Sequence, residues 1–337
     1  MIRGARRYLG PLAALPRTRF VLARVGRSLA ASARRADTAA LPAALAIDVV
    51  DAPAGVMLGL ADFRRVYDAV RPAHLTLTGN GDPLANPHLA AMVAHAAAAG
   101  STVRLDTPGR LLRAGPAYAL LQAGLAELRA VLDHADAVAV GNLQRLVAMR
   151  DANRKPGPRI EVLLALPAGV GALQPLLDLC HARLPGVEPM VRLGARAWGT
   201  GGARAAVPEL RAARARAVVL GFPRTITSID RTLAQITIGP GKGPCHVPWY
   251  AAHVSTSGAL SPCVEDSRGG GRLGNSVFSD FIVLWNALPM RTFRKQTRRD
   301  RSGGDVCKRC FHEDIPMAEF IGALGIVGGP RAAGRGG

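Results

Sequence analysis

A regular beat constrains this chain more than any other feature. Short aliphatic or β-branched runs occupy residues 45–50, 74–78, 102–106, 128–132, 160–166 and 190–193, and their starts lie 26–32 residues apart. That pitch is the length of one strand–helix–strand unit. Between the runs, residues 60–70, 87–99, 142–150 and 173–182 show helical spacing. Such alternation predicts an α/β fold on a parallel sheet, open or closed into a barrel. Functional side chains then gather on loops at the carboxyl ends of the strands. The beat fades near residue 195, through a Gly-rich loop over 194–202, a basic stretch over 211–224 and a Gly/Pro cluster over 239–244. The expected organisation is a basic N-terminal segment (1–40), an α/β body (41–240), a smaller second domain (241–327) and a Gly/Arg/Ala tail (328–337) whose composition marks it as disordered.

At 337 residues, 49% hydrophobic and 20% charged, the chain is long and apolar enough for a sizeable core. Its 43 Lys and Arg against 24 Asp and Glu give a formal net charge of +19. A surplus of that size suits acidic partners, nucleic acid or anionic membranes. No interleaving of aromatic and basic residues suggests base stacking, so most arginines are read as solvated surface. The first 36 residues hold Arg3, Arg6, Arg7, Arg17, Arg19, Arg24 and Arg27 among their arginines and no Asp or Glu. That composition fits a transit peptide or an amphipathic surface segment. No apolar run reaches the roughly 18–20 residues of a membrane span.

Five cysteines, four of them late in the chain, do not form a disulfide framework, and a reducing, cytoplasmic setting is expected. Cys245 and Cys263 lie 18 positions apart, and Cys307 and Cys310 form a C-x-x-C pair. The C-x-x-C turn puts two thiolates on one small loop, and the earlier two complete a set of four sulfur ligands. Soft thiolates in that number select zinc or an iron–sulfur cluster. Cys180, alone in a Leu-rich helical stretch, is read as core packing.

The residues around these cysteines carry a family likeness. The stretch CHVPWYAAHVSTSGALSPC, then Leu273-Gly274-Asn275, Leu284-Trp285-Asn286 and CKRC, resembles the SPASM/twitch domain of radical SAM enzymes. The resemblance implies one auxiliary 4Fe–4S cluster on Cys245, Cys263, Cys307 and Cys310, in the single-cluster form, since no cysteine follows Cys310. Upstream, HLTLTGNGDPLANPHLAAMVAHAAAAGSTVRLDTPGRLL resembles the second strand, Gly-rich loop, helix and third strand of a radical SAM barrel. It implies a partial (β/α)6 TIM-like barrel in which Gly79, Gly81 and Asp82 meet the amino group of S-adenosylmethionine.

One departure is decisive for function. Family members carry C-x-x-x-C-x-x-C just after the first strand, where residues 47–66 read IDVVDAPAGVMLGLADFRRV, without cysteine or histidine. Without three ligands there, no anchored cluster offers an open iron to cleave S-adenosylmethionine. The leading expectation is a non-catalytic relative that keeps the auxiliary cluster and serves as a binding or electron-transfer partner, for a protein or peptide such as an active radical SAM enzyme. A second is a nucleotide or S-adenosylmethionine enzyme without radical chemistry, for which Asp133 and His134 at a strand end are the nearest acid–base candidates. A third is a nucleic-acid-binding protein, motivated by the charge and the basic run over 291–301.

Overall fold

The computed structural model describes residues 36–310 apart from 133, 156, 167–170, 194–201, 242–243, 267–272 and 299–304, together with residues 26, 27 and 30. The leader, the tail and most of the 194–202 loop therefore lie outside the described residues. Every expected strand forms. β1 (Ala44–Asp51) is followed by a short β2 (Val56–Met57), then β3 (His74–Asn80), β4 (Thr102–Thr107), β5 (Glu127–Leu132), β6 (Arg159–Leu166) and β7 (Met190–Leu193). The helices between them are α1 (Leu60–Val70), α2 (Leu89–Ala98), α3 (Ala114–Gln122), α4 (Ala137–Ala152) and α5 (Leu173–Arg183). β1, β3, β4, β5, β6 and β7 pair in parallel and in sequence order, as the strand–helix repeats of a partial barrel require.

Past residue 195 the beat gives way to helices rather than loops. A four-residue α6 (Gly202–Ala205) leads to α7 (Val207–Leu220) and α8 (Pro223–Ile238). The basic stretch over 211–224 is thus mostly the surface of α7, whose buried stripe is Leu210, Ala213 and Ala217. α8 seals the outer edge of β7. Ser228 Oγ accepts from Val191 N at 2.8 Å and donates to Val191 O at 2.7 Å, and Thr225 Oγ1 donates to Pro189 O at 2.6 Å. Side-chain hydroxyls thereby satisfy an edge that would otherwise invite another strand.

The cysteine-bearing segment adds to the same sheet. After α9 (Val247–Tyr250), β8 (Ala251–Val254) pairs in parallel with β1 on the side opposite β3, and β9 (Ala259–Ser261) and β10 (Gly274–Asn275) follow antiparallel. α10 (Phe281–Asn286), α11 (Leu288–Thr297) and α12 (Asp305–Arg309) complete the described chain. Arg192 on β7 pairs with Glu265, just beyond β9, at 3.2 Å. The expected boundary near residue 240 falls after α8, with the sheet continuing across it.

The helix-facing side of the sheet is apolar, with Leu45, Ile47, Val103, Leu105, Leu128 and Val162 fully buried or nearly so. The alternating positions face the other way and carry charge. Arg104 pairs with Asp106 at 3.0 Å, Arg129 with Glu161 at 2.9 Å, and Arg159 with both Glu127 at 3.0 Å and Glu161 at 2.8 Å. Parallel strands covered on both faces usually read as apolar runs. Here one face is a ladder of opposite charges across β4, β5 and β6.

Glu127 anchors the lower end of that ladder. Burial pushes its carboxyl upward, but the His74 contact and the charges of Arg159 and Arg104 outweigh burial and hold it at about 2. His74, 3.5 Å away, is itself shifted downward, chiefly by burial, and Arg159 adds a guanidinium 3.0 Å from the carboxylate. A depressed carboxyl stabilises the fold above its unfolded value, and that stability is lost as pH falls through the folded value. The window is therefore about pH 4.5 down to about pH 2, and the shift is worth about 3 kcal/mol. Glu127→Gln is expected to be less stable at neutral pH and to lose less stability across that window, as read by urea denaturation. Equal pH slopes in the two proteins would contradict this role.

Candidate iron–sulfur site

Cys245, Cys263, Cys307 and Cys310 line one pocket, with Val247, Pro248, Val264, Phe293 and Val306 as apolar wall. The local sequence explains how they meet. Cys245 precedes α9, and its backbone N–H donates to Thr297 O at the end of α11 at 3.0 Å. Cys263 follows β9, two residues past Ser261, which is paired with His253. Cys307 and Cys310 sit on and just after α12, where Cys310 N donates to Cys307 O at 3.2 Å. Cys310 O accepts in turn from Gly241 N at 3.0 Å, so the closing C-x-x-C turn is tied back to the chain ahead of Cys245.

The hairpin that presents Cys263 depends on Gly258. Its φ is +81°, and a Cβ there would stand 2.5 Å from Val277 Cγ2 and 2.7 Å from Asn275 Oδ1. Asn275 Nδ2 donates to Ser257 O at 2.7 Å, and Ser276 N donates to Gly258 O at 2.8 Å. Glycine supplies both the left-handed backbone and the space. This gives the Gly before the Pro-Cys, and the Leu-Gly-Asn, a physical reason.

The tryptophans of the motif do something the sequence does not announce. Trp249 Nε1 donates to Ala36 O at 2.7 Å, and Trp285 Nε1 donates to Ala40 O at 2.9 Å. Asn286 exchanges hydrogen bonds with Ala39 in both directions, at 2.9 and 3.0 Å. Arg294, fully buried, lies 4.7 Å over the Trp285 ring and donates to Asp37 O and Pro248 O. Burial lowers its pKa to about 10, with Asp37 opposing. These side chains strap residues 36–40 across the helices beside the cysteine pocket. Arg294 belongs to the basic run over 291–301, whose members therefore differ: Arg294 is structural, whereas Arg291 and Lys295 face solvent.

The four cysteines supply the donor set of the site. Among the described residues, no three His, Cys, Asp or Glu side chains converge closely enough to hold a single metal ion. Four thiols around one apolar pocket fit a polynuclear cluster, which takes four cysteine thiolates as ligands. Burial, then the neighbouring Cys245, raises the Cys263 thiol well above its ordinary value. Cys180 stands apart, buried in α5, with burial alone pushing its thiol up to about 12.

The carboxyl end of β3 holds the other expected site. A Cβ on Gly79 would lie 2.5 Å from both Val50 O and Val50 Cγ1, and one on Gly81 would lie 2.8 Å from Ala52 Cβ. These glycines admit the β1–β2 hairpin against β3. Asp82 Oδ1 accepts from Leu84 N at 3.1 Å and from Thr107 Oγ1 at 2.7 Å, while its Oδ2 is buried without a hydrogen-bond partner. Asp133 lies outside the described residues. His134 is half exposed, with Nε2 4.0 Å from Asp136, the N-cap of α4. The polar face of the sheet was missed by reading its strands only as apolar runs. Its signal was the alternation in Thr-Val-Arg-Leu-Asp-Thr and Glu-Leu-Arg-Ala-Val-Leu.

If the four late cysteines are the ligands, Cys263→Ala loses the broad visible absorbance of the anaerobically purified protein and Cys180→Ala keeps it. Retained iron in Cys263→Ala, by metal analysis, would refute the assignment.

A family model described as an iron–sulfur cluster-binding domain, SPASM, matches residues 245–311. No curated protein matches the chain in sequence. In structure the chain is similar to Streptococcus suis SuiB bound to the precursor peptide SuiA, at 11% identity and a TM-score of 0.56, over 85% of this chain and 74% of that one. SuiB bound to S-adenosylmethionine gives a TM-score of 0.54 at 11% identity, over 85% and 73%. Histidine-tagged anSMEcpe with bound AdoMet gives 0.50 at 12% identity, over 76% and 80%. Likeness at these identities speaks for the fold. Residues 245–311 thus match an iron–sulfur cluster-binding domain, SPASM, and the chain has a fold similar to that of SuiB and anSMEcpe.

Proposed function

We propose that this chain is a non-catalytic radical SAM/SPASM relative that holds one 4Fe–4S cluster and serves as a partner for a protein or peptide. The observation that carries the reading is a contrast within one sheet. The pocket with four cysteines is complete, whereas the loop after β1 is a tight hairpin. β2 pairs back on β1 through Val50–Met57 and Asp51–Val56. Ala52 N donates to Asn80 O at 2.9 Å, Asn80 Nδ2 to Asp51 Oδ1 at 2.9 Å, and Asn86 Nδ2 to Val49 O and Leu58 O. The hairpin carries Ala52, Pro53, Ala54, Gly55, Val56 and Met57, with one thioether and no thiolate or imidazole. Such a loop supplies nothing to anchor a second cluster.

In this reading the cluster, when bound, supplies a redox-active or stapling group, and Cys245, Cys263, Cys307 and Cys310 hold it. Metal binding couples to folding, so the cluster also fixes α9, α11 and α12 against β8 and β9. SuiB is bound to a precursor peptide, which supports a peptide or protein as the partner class. The net charge of +19 favours an acidic one, met faster at low salt. A cytoplasmic setting suits reduced thiols and an intact cluster.

A second reading keeps a nucleoside ligand, and the partnerless Asp82 Oδ2 beside Gly81 favours it. The Val50 and Ala52 side chains that fill the backs of Gly79 and Gly81 favour the first.

The reduced protein incubated with S-adenosylmethionine is expected to yield no 5′-deoxyadenosine above a protein-free control. Turnover proportional to protein would overturn the non-catalytic reading. Binding heat with S-adenosylmethionine that vanishes in Asp82→Ala, without turnover, would favour the second.

A further inference from the structure

The wall of the cysteine pocket is apolar except at one place. Among the described residues that line it beside the four cysteines, Glu265 alone carries a charged side chain. Glu265 stands two residues past Cys263, in the short 3-10 turn Val264–Asp266 that follows β9. Its charge reaches the sulfur: burial does most to raise the Cys263 thiol, then Cys245, with Cys310 and Glu265 adding to it.

A carboxylate in such a wall is costly unless it is paired. Its partner is Arg192 on β7, whose guanidinium lies 3.2 Å from the Glu265 carboxylate. Met190 pairs with Leu163 in the parallel ladder, so Arg192, two residues on, shares the face of the sheet that carries Glu161. The pair therefore joins the charged face of the sheet to the wall of the pocket. A mere latch between β7 and the cysteine segment needs no charge in that wall. This one sets a negative charge against the ligands and a positive charge just beyond it.

We propose that Glu265 and Arg192 together set the reduction potential of the cluster held by the four cysteines. The carboxylate disfavours the added electron, and the guanidinium offsets the carboxylate. The proposal rests on the cluster assigned to this pocket above. An iron–sulfur potential follows the net charge and hydrogen bonding around the cluster, and charges act more strongly across an apolar wall than through water.

Redox titration of the anaerobically reconstituted full-length protein, followed by electron paramagnetic resonance, tests this. Iron and acid-labile sulfide report that each variant is loaded. Glu265→Gln should shift the midpoint potential upward, and Arg192→Gln should shift it downward. Arg192→Lys, which keeps the cation, and the double variant Arg192→Gln/Glu265→Gln should both lie near wild type. Arg214→Gln removes the same charge from the exposed Asp230 pair between α7 and α8 and should leave the potential unchanged. A purely structural latch would move both single variants the same way or neither, and either result would overturn the proposal. An equal downward shift in Arg214→Gln would overturn it too, by reducing the effect to net charge. Should Glu265→Gln fail to load, the two Arg192 variants decide the question alone. A wild-type chain that takes up no iron or sulfide would sink the cluster reading and this proposal with it, whereas unshifted potentials in loaded variants sink only this one.

Discussion

The parallel pairing of β8 with β1 is the constraint on which the rest of the molecule depends. Four residues, Ala251–Val254, lie in register with Ala44–Ile47, and this short ladder turns a late, cysteine-rich segment into the continuation of an α/β sheet. Cys245 reaches the pocket because α9 leads directly into β8. Cys263 reaches it because β9 returns antiparallel from β8. His253, buried on β8, meets Asp48 on β1 at 3.0 Å, a side-chain contact that reinforces the same register. A slip by one residue would turn His253 toward the helix layer and carry Cys263 away from Cys245.

β1 also decides what happens at its own carboxyl end. Its register with β3 shifts between Asp48 and Val50, and the close approach of Val50 to Gly79 occupies that irregularity. The chain can then turn at once into β2, and Asn80 and Asn86 hold the turn down. A loop carrying three ligands around a cluster would have to leave this packing. The same strand thus supports the cysteine pocket along one edge and turns tightly at its end, where a second cluster would need room. The charged ladder follows from the open geometry: the helices pack on the other face, and opposite charges across β4, β5 and β6 fill this one and neutralise one another.

Much of this was legible from residue patterns. The six parallel strands and α1 follow from aliphatic runs at a fixed pitch, and the gathering of the four late cysteines follows from spacing and motif. What stayed hidden was long-range or had a weak period. β8 is four residues of Ala, Ala, His and Val, which carry no strand signal until β1 is beside them. α7 and α8 are masked by arginines and by Thr/Ser, whose hydroxyls turn out to bond backbone at the edge of β7. The strap over 36–40 is Ala-rich and reads as linker, because its partners lie more than 200 residues away and bind mostly its backbone, with Asp37 also paired through its side chain to Arg298 and Lys295. The charged face was present as alternation within the strands, but Arg and Asp in a parallel strand read as its ends rather than its lumen side.

The central claim is that this sheet carries one cluster, on the four late cysteines, and none after β1. Iron and acid-labile sulfide determined together on the anaerobically reconstituted full-length chain test it most directly. The account predicts about four of each per chain, as a single 4Fe–4S cluster on four thiolates requires. About eight of each, or one zinc per chain with no sulfide, would contradict it.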